Sequence, residues 1–374
     1  LGIQKTLNLI KKKYKDLKII NFKSGQKVFD WEIPKEWNIS DAYILDPDDK
    51  KIVNFKMNNL HVVGYSSPIN MIISRDELLK KFHYLKSQKN AIPYVTSYYN
   101  LTWGFCITYD FFKKFIKKYN KKDKFKVVIK SSFKHKGKLS LGELVIKGKR
   151  KQEILISTYI CHPSMANNEL SGPIVTMSLI DYFKKKKKPQ YTLRFLFIPE
   201  TIGSIAYLAK NYEKLKKYVI GGYNLTCIGD DRQHSCMFSK YNNSPSDFAL
   251  IEAYKQLKIR GYKVHSFLER GSDERQYNSP GIDLDITSIF RTKYWNYPEY
   301  HTSLDNFDLV TLKGVSGGFA VAKKAVENLL KKNYPKYSVL CEPQMSKRNL
   351  YPKISKKNNK NLFRNYLDFL QYAD

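Results

Sequence analysis

Apolar runs and amphipathic stretches alternate through most of the chain after residue 125. The apolar segments predict strands over 125–129, 143–146, 154–160, 191–198, 219–228 and 284–290. Further segments predict helices over 173–184, 201–210, 246–261 and 314–332. Short, nearly continuous apolar strands are typical of a sheet that is covered on both faces. The alternation of strand and helix therefore predicts an α/β fold with a mostly parallel sheet flanked by helices.

The first third of the chain has a different pattern. An amphipathic stretch begins at Leu7, and residues 28–33 alternate as a strand does. Short aromatic segments separated by turn residues follow, with one helix expected near 75–86. We predict an α/β domain built from 1–41 and 131–335, a small β-rich domain inserted at 42–130, and a C-terminal segment at 336–374 that contains an amphipathic helix over 361–370.

The chain is strongly basic, because 66 Lys and Arg residues oppose 34 Asp and Glu residues and give a formal net charge of +32. The excess is almost entirely lysine, whereas arginine is the usual residue of specific phosphate and base contacts. Nucleic-acid binding is therefore not expected, although a partly anionic substrate such as a nucleotide sugar fits the charge. No apolar run approaches the roughly 20 residues of a membrane span. Five cysteines without a regular spacing indicate free thiols in a cytoplasmic protein.

A histidine, His162, follows the predicted strand 154–160, where ligands gather in parallel sheets. Imidazole and carboxylate groups are the usual non-thiolate ligands of zinc. His301 lies in a second polar segment and could complete a site for one zinc ion. Glu169 is the preferred third ligand, with Asn168 and Asp230 as alternatives, because a neutral amide binds zinc poorly. The alternative is that both histidines are hydrogen-bonded core residues.

Several charged residues near these positions could act on a substrate. Glu200 follows the strand 191–198 and could take a proton from an activated water, or it could simply favour the helix dipole. Asp273, Glu274 and Arg275 share one loop and form either a substrate clamp or a structural ion-pair cluster. Arg291 follows the last strand and, with Arg275, could bind a carboxylate or phosphate.

Three other features have two interpretations each. Cys161 could be a nucleophile or a small apolar residue at a strand end. The aromatic residues from Tyr94 to Phe105 could stack on a sugar or pack a small core. Asp305 could orient His301 or cap a helix.

Three groups of residues resemble a family of bacterial aminopeptidase-like proteins from polysaccharide-biosynthesis clusters that is usually left as a domain of unknown function. The groups span most of the chain: Val28-Phe29-Asp30-Trp31 with Pro34-Lys35-Glu36-Trp37 and Asn59-Leu60-His61-Val62, Ile160-Cys161-His162-Pro163-Ser164 with its extension to Gly172, and Gly271-Ser272-Asp273-Glu274-Arg275-Gln276-Tyr277 with Pro298-Glu299-Tyr300-His301-Thr302-Ser303. The resemblance implies a zinc-aminopeptidase fold, a small domain inserted after the first strand, and a C-terminal winged helix. Residues 336–374 would be the start of that winged helix, truncated in this sequence.

That family is similar in turn to the two-zinc aminopeptidases, which use a His, a bridging Asp, a Glu-Glu pair, a further Asp and a final His. The resemblance implies that His162 and His301 are the outer ligands and that Glu200 is the general base. The other positions differ or match as follows: Asn168 stands at the bridging Asp, Thr201 at the second Glu, Thr226 at the further Asp, and Asp273 matches an Asp of a Ser-Asp segment. Much of the two-metal ligand set is thus replaced, which favours a single zinc ion.

The predicted function is a cytoplasmic zinc-dependent hydrolase that acts on an amide bond of a small polar or sugar-linked substrate, in either direction. The surface-polysaccharide context rests on the resemblance. Two alternatives remain: a catalytically degenerate protein that binds a sugar or another ligand, and a regulator that binds DNA through the winged helix. An oligomer is compatible with the sequence, and no membrane partner is expected.

Overall fold

The computed structural model describes residues 2–332 and 344–349. Residues 1–330 form one compact unit, and a second unit begins at Lys331. In the second unit the described part contains a 3₁₀ turn at Met345–Arg348. The helix predicted at 361–370 lies outside the described residues. Among the helices that are described, none is both long and apolar enough to cross a membrane.

The helices and strands of the described residues are numbered in chain order. The helices are α1 (Gly2–Lys13), α2 (Arg75–Leu79), α3 (Tyr109–Lys118), α4 (Ser171–Lys184), α5 (Ile202–Tyr218), α6 (Pro245–Gln256), α7 (Glu274–Tyr277) and α8 (Leu312–Lys331). The strands are β1 (Lys18–Lys23), β2 (Lys27–Val28), β3 (Trp31–Glu32), β4 (Glu36–Leu45), β5 (Lys51–Asn54), β6 (Ile69–Ser74), β7 (Phe82–His83), β8 (Phe105–Cys106), β9 (Lys124–Lys134), β10 (Lys138–Ile146), β11 (Glu153–Tyr159), β12 (Thr192–Ile198), β13 (Val219–Leu225), β14 (Ser235–Met237), β15 (Lys263–His265) and β16 (Ile286–Phe290).

Eight strands form the large sheet in the order β1-β10-β12-β11-β13-β16-β14-β15. The four central strands β12, β11, β13 and β16 are parallel, and antiparallel pairs join β10 and β14 to them. Every residue of β11, β12 and β16 is buried, since helices cover both faces of the centre. The predicted α/β fold with a mostly parallel central sheet is confirmed.

The register of the central strands brings their carboxyl ends to one edge of the sheet. Tyr159 pairs with Ile198 at the ends of β11 and β12, and Leu225 pairs with Ile289 near the ends of β13 and β16. The loops that follow these four strands therefore emerge together. In parallel sheets this is the edge at which ligands bind.

A second, four-stranded antiparallel sheet lies between residues 36 and 134, in the order β5-β4-β9-β6. It has its own apolar core, in which Phe125 and Val127 of β9 pack with Phe115 of α3. The two inner strands, β4 and β9, begin at Glu36 and end at Lys134, somewhat beyond the boundaries 42 and 130. The predicted domain division stays a prediction. The helix expected near 75–86 is shorter, because the chain leaves α2 at Leu79 and pairs Phe82 with Phe105.

The prediction of one strand over 28–33 is wrong. The chain reverses at Phe29, which has a φ of 54°, and β2 pairs with β3 as a short hairpin. Val28 and Ile33 are buried, whereas Phe29 and Trp31 are 57% and 42% exposed. The alternation of apolar and polar residues thus reflects the two arms of a turn and not a continuous strand.

Candidate metal centre

The loop after β11 carries the first predicted imidazole. After Cys161 and His162 the chain forms a π-helical turn at Ala166–Leu170 and enters α4. Gly172 makes this path possible, because a Cβ there would lie 2.4 Å from Oγ1 of Thr158 and 2.5 Å from the main-chain oxygen of Leu225. The turn is therefore packed against the ends of β11 and β13, and it buries Asn168 and Glu169.

Asp305 holds this turn from the opposite side. Its Oδ1 accepts the main-chain N–H of Asn167 at 2.5 Å, and its Oδ2 accepts that of Asn168 at 3.0 Å. The N–H of Ala166 and the hydroxyl of Tyr297 also donate to this carboxylate. Asp305 thus caps the turn, as the cap interpretation predicts, and it fixes the backbone that presents Asn168 and Glu169.

Both edges of the His162 imidazole face polar groups. Nδ1 lies 3.2 Å from Oε2 of Glu169 and 3.4 Å from Sγ of Cys161. Nε2 lies 3.6 Å from Oε2 of Glu200. Burial opposes protonation of the ring, but Cys161 and Glu169 together raise the pKa of His162 well above its ordinary value.

The second predicted imidazole is next to the first, since the ring centroids of His162 and His301 are 5.2 Å apart. His301 has a φ of 55°, and its ring stacks on Tyr300 at 3.9 Å. The main-chain N–H of Tyr94 donates to the His301 oxygen at 2.7 Å and the Tyr94 ring packs edge-on against both imidazoles. Burial and the neighbouring His162 lower the pKa of His301 to about 3, so this imidazole is neutral at physiological pH.

The end of β12 brings two carboxyl groups into the site. Glu200 is one-fifth exposed, and its main-chain N–H donates to Sγ of Cys161 at 3.2 Å. The next residue, Thr201, has a φ of 63°, and its N–H donates to Oδ1 of Asp273 at 2.8 Å. Burial, reinforced by the charge of Glu200, raises the pKa of Asp273 to about 8. Asp273 is therefore largely protonated at neutral pH while Glu200 faces the imidazole.

Several donor atoms of this centre are of the kinds that bind a divalent cation, and those of Cys161, His162 and Glu169 lie close together. Within the described residues, three side-chain atoms of this centre are buried without a hydrogen-bond partner: Oδ1 of Asn168, Oδ2 of Asp273 and Nε2 of His301. Oε2 of Glu169 contacts Nδ1 of His162. Ligands about 2.1 Å from a tetrahedral zinc ion lie about 3.4 Å from one another. The separations of His162 Nδ1 from Glu169 and Cys161 are close to this value, and these three residues form the cluster of possible ligands found in the described part of the chain. His301 lies outside this cluster, although its ring centroid is 5.2 Å from that of His162.

The other predicted site residues lie apart from the imidazoles or are held by the protein. Both carboxylate oxygens of Asp230 accept hydrogen bonds, one from Thr292 N–H at 2.9 Å and one from its hydroxyl at 2.7 Å. Glu274 accepts the N–H of Gly271 at 2.8 Å and is buried. Arg275 donates to Thr201 Oγ1 at 2.6 Å, beside Glu200. Arg291 points instead to the main-chain oxygen of Asp230, at 2.7 Å.

Neutral side chains stand at the positions where the two-zinc pattern has acids. The hydroxyl of Thr226 donates to the Tyr159 hydroxyl at 2.5 Å, and Nδ2 of Asn168 donates to the same oxygen at 2.9 Å. The hydroxyl of Thr201 is engaged by Arg275. At these three positions the side chains are neutral and hydrogen-bonded, so they provide no carboxylate for a second metal ion.

The aromatic residues from Tyr94 to Phe105 were noted in the sequence, but the position of the segment 94–101 next to the imidazoles was not predicted. Pro93 forms a β-bridge with Thr302, which docks this segment on the His301 loop. Tyr98 and Tyr99 both have positive φ values, 47° and 75°, and the Tyr98 side chain is 76% exposed. Tyr94 of this segment packs edge-on against both imidazoles, and burial with the nearby thiol of Cys161 raises the pKa of Tyr99. The density of aromatics was visible in the sequence, but its long-range pairing was not.

The sequence of this chain matches a known protein family. The sequence profile of DUF4910, described as a domain of unknown function, matches residues 1–333. A winged helix-turn-helix profile matches residues 332–374. A Clostridium acetobutylicum protein, named as a candidate polysaccharide biosynthesis protein with an aminopeptidase-like domain, is 39% identical over 354 residues, which cover 94% of this chain and 79% of that protein.

Solved structures agree with this result. A candidate peptidase from Clostridium acetobutylicum is 39% identical, with a TM-score of 0.83 over 93% of this chain and 80% of that one. A zinc aminopeptidase from Bacillus subtilis is 14% identical, with a TM-score of 0.64 over 89% of this chain and 90% of that one, and it shows likeness of fold. The predicted resemblance to aminopeptidase-like proteins, with a C-terminal winged helix, is confirmed.

Proposed function

This chain belongs to the DUF4910 family, and we propose that it is a zinc-dependent hydrolase of aminopeptidase-like fold that acts on an amide bond. One observation carries the proposal. The neutral, half-buried imidazole of His301 has a buried Nε2 without a hydrogen-bond partner in the described part of the chain, and its ring lies 5.2 Å from that of His162, which contacts Glu169. Leaving a buried polar atom unsatisfied is unfavourable, and an imidazole nitrogen that ligates a metal ion is one of the reasons for such an arrangement.

In this proposal His162, Glu169 and His301 hold one zinc ion. Asn168 is the alternative oxygen ligand, since its Oδ1 is buried without a partner, whereas the oxygens of Asp230 are already engaged. A zinc ion held there supplies Lewis-acid polarisation of a carbonyl or a water. Cys161 is close enough to be a fourth ligand, and its thiol is oriented by the Glu200 N–H.

The protein residues around the centre move protons and position the substrate. Glu200 takes the proton of the attacking water and passes it to the leaving nitrogen, a role that suits a partly exposed carboxylate next to the imidazole. Asp273, protonated at neutral pH, can donate a hydrogen bond through Oδ2. Arg275 lies next to Thr201 and faces the substrate, and Glu274 supports the loop before it through Gly271.

The proposed substrate is small and polar, and it carries a sugar. The exposed ring of Tyr98 at the border of the centre is held on a strained backbone, and carbohydrate rings stack on such faces. The name of the Clostridium acetobutylicum relative is consistent with a role in polysaccharide biosynthesis. The cytoplasmic location remains part of the proposal.

Metal content and amidase activity of the purified chain test this function together. We expect one zinc per chain in the wild type and in Glu200→Gln, and much less in His301→Ala. Hydrolysis of a panel of N-acyl amino sugars and aminoacyl anilides should be lost in both variants. The exposed residues His135 and Glu213 give matched controls, His135→Ala and Glu213→Gln, which should retain both zinc and activity.

Two outcomes would contradict the proposal. Absence of stoichiometric zinc from the wild type would remove the metal centre. Bound zinc with activity that is equal in the wild type and Glu200→Gln would remove the proposed proton transfer and favour a protein that only binds its ligand.

A further inference from the structure

A cavity of about 490 Å³ lies away from the paired imidazoles, between the segment 231–234, the segment 260–262 and the first turns of α8. Most of its polar lining is basic or neutral, and Asp231 is its acidic member. The side chains that carry the argument are Arg232, His234, Arg260, Arg291 and Lys313. A concave site lined by several cations favours an anionic ligand.

Arg291 is the least expected of these residues, because its charged side chain is only 5% exposed. Nε donates to the main-chain oxygen of Asp230 at 2.7 Å, and Nη1 contacts Nε2 of His234. Over residues 2–332 and 344–349, no carboxylate oxygen lies within 4.0 Å of this guanidinium. Asp230 and Asp231 offset part of this charge from beyond contact distance, but a buried cation without a contacting counter-ion still favours a further anion.

The cations at the rim are not all neutralised by the protein. Arg232 is paired through both terminal nitrogens with Glu299, at 2.7 and 2.8 Å. Arg260 and Lys313, in contrast, have no carboxylate within 4.0 Å in the described part of the chain. Three positive groups, those of Arg260, Arg291 and Lys313, are therefore available to one cavity.

The wall formed by α8 is shaped to leave Arg291 open to the cavity. A Cβ at Gly317 would lie 2.9 Å from Nη1 of Arg291 and 3.4 Å from Cε1 of His234. Lys313 and Gly317 are both near the start of this 20-residue helix, whose amino-terminal end also favours negative charge.

We propose that this cavity binds a phosphate-bearing ligand, with a diphosphate group held by Arg291, Arg260 and Lys313. Guanidinium groups bind phosphate oxygens in a bidentate manner, and a lysine adds a point charge. The volume exceeds that of a single phosphate and accommodates a diphosphate with part of what it is attached to. The partly exposed ring of Tyr262, which stacks on Tyr254 at 4.0 Å, forms one side of the cavity and can contact a base or sugar.

Isothermal titration calorimetry of the full chain with pyrophosphate tests the proposal. The protein is first treated with EDTA, so that anion binding to a metal at His162 and His301 does not contribute. We expect saturable binding of one pyrophosphate per chain at constant ionic strength. The double variant Arg260→Gln/Lys313→Gln should weaken it at least tenfold, and Gly317→Ala should weaken it as well, because the added methyl group crowds Nη1 of Arg291.

The double variant Lys185→Gln/Lys255→Gln is the matched control, since it removes two exposed positive charges elsewhere. It should change the affinity less than threefold. Absence of saturable binding, or equal weakening in the control, would overturn the proposal. Uridine diphosphate is the second probe: tighter binding than pyrophosphate identifies a nucleotide as the ligand class, and equal binding identifies the diphosphate group itself.

Discussion

Replacing Asn168 by Asp provides a sensitive test of whether a cation lies between the imidazoles. The side chain is 2% exposed; Nδ2 donates to the Tyr159 hydroxyl at 2.9 Å, and Oδ1 has no hydrogen-bond partner. Asn168→Asp keeps the shape of the residue but replaces a donor by a second oxygen and introduces a negative charge next to Glu169. The substitution should therefore lower the stability of the metal-free protein and increase the stabilisation that zinc gives.

Without metal, the variant should be less stable than the wild type. A buried polar group that loses its partner costs about 1–3 kcal/mol, and a buried unpaired charge adds several more unless it takes a proton. A loss of about 2–5 kcal/mol, or a fall in melting temperature of roughly 5 °C, is expected. Burial raises the pKa of the new carboxyl group in the folded protein, so the penalty appears as the pH rises above about 4, its unfolded value.

With zinc, the difference in stability between Asn168→Asp and the wild type should become smaller or change sign. Zinc present at 100 times its dissociation constant stabilises the folded protein by about 2.7 kcal/mol, and each tenfold gain in affinity adds about 1.4 kcal/mol. An anionic oxygen in place of a neutral amide should raise the affinity by at least that factor. The stabilisation by zinc should thus be larger in Asn168→Asp than in the wild type.

Thermal melts in EDTA and in buffered zinc, from pH 4.5 to 8, measure both effects. Asn243→Asp is the control, because it makes the same chemical change at an exposed position. Equal stabilisation of the wild type and Asn168→Asp by zinc would show that Asn168 does not face the metal. An unchanged melting temperature in EDTA would show that the position is not buried among carboxyl groups.

Three further changes probe other parts of the centre. Asp273→Asn should make stability in EDTA less dependent on pH. The native carboxyl group has a pKa of about 8 in the folded protein and about 4 in the unfolded chain, so it makes stability fall as the pH rises between these values. Urea unfolding of both proteins across that range measures the difference. Asp305→Ala should weaken zinc binding about 10- to 100-fold, because it releases the turn that presents Glu169, while the exposed control Asp308→Ala should not; competition with a zinc chelator measures this. Tyr98→Ala should raise KM for a sugar-linked substrate severalfold and leave zinc content unchanged, whereas Tyr241→Ala, at a similarly exposed ring, should not alter KM.

The central strands were predictable because burial on both faces demands continuous apolar sequence. Strands β11, β12 and β16 appear in the sequence as such runs, and the structure buries all their residues. The short strands β14 and β15 were not predicted, since each has three residues and its pairing depends on neighbours far along the chain. The hairpin at Phe29 was missed for a related reason, because no glycine or proline signals its turn.

The position of site residues was predictable only as far as the strand ends. His162 and Glu200 follow adjacent parallel strands, so topology alone brings them near each other. Asp230 and Arg291 also follow strand ends, but Thr292 and Asn167 bind the buried Asp230 carboxylate, and Arg291 lines the basic cavity. That difference is decided by local hydrogen bonds that no sequence pattern encodes.

The relation between the two sites follows from the same hydrogen bonds. Arg291 at the basic cavity donates to the main chain of Asp230, and Asn167 of the turn before α4 donates to the Asp230 carboxylate at 3.1 Å. Asn167 and Asn168 are both held by Asp305, so one continuous set of contacts joins the cavity to the residues that would bind zinc. A substrate with a diphosphate at one end and an amide at the other would fit this arrangement only if it spans both sites. If zinc content and pyrophosphate affinity change independently in the variants above, the two sites serve different ligands.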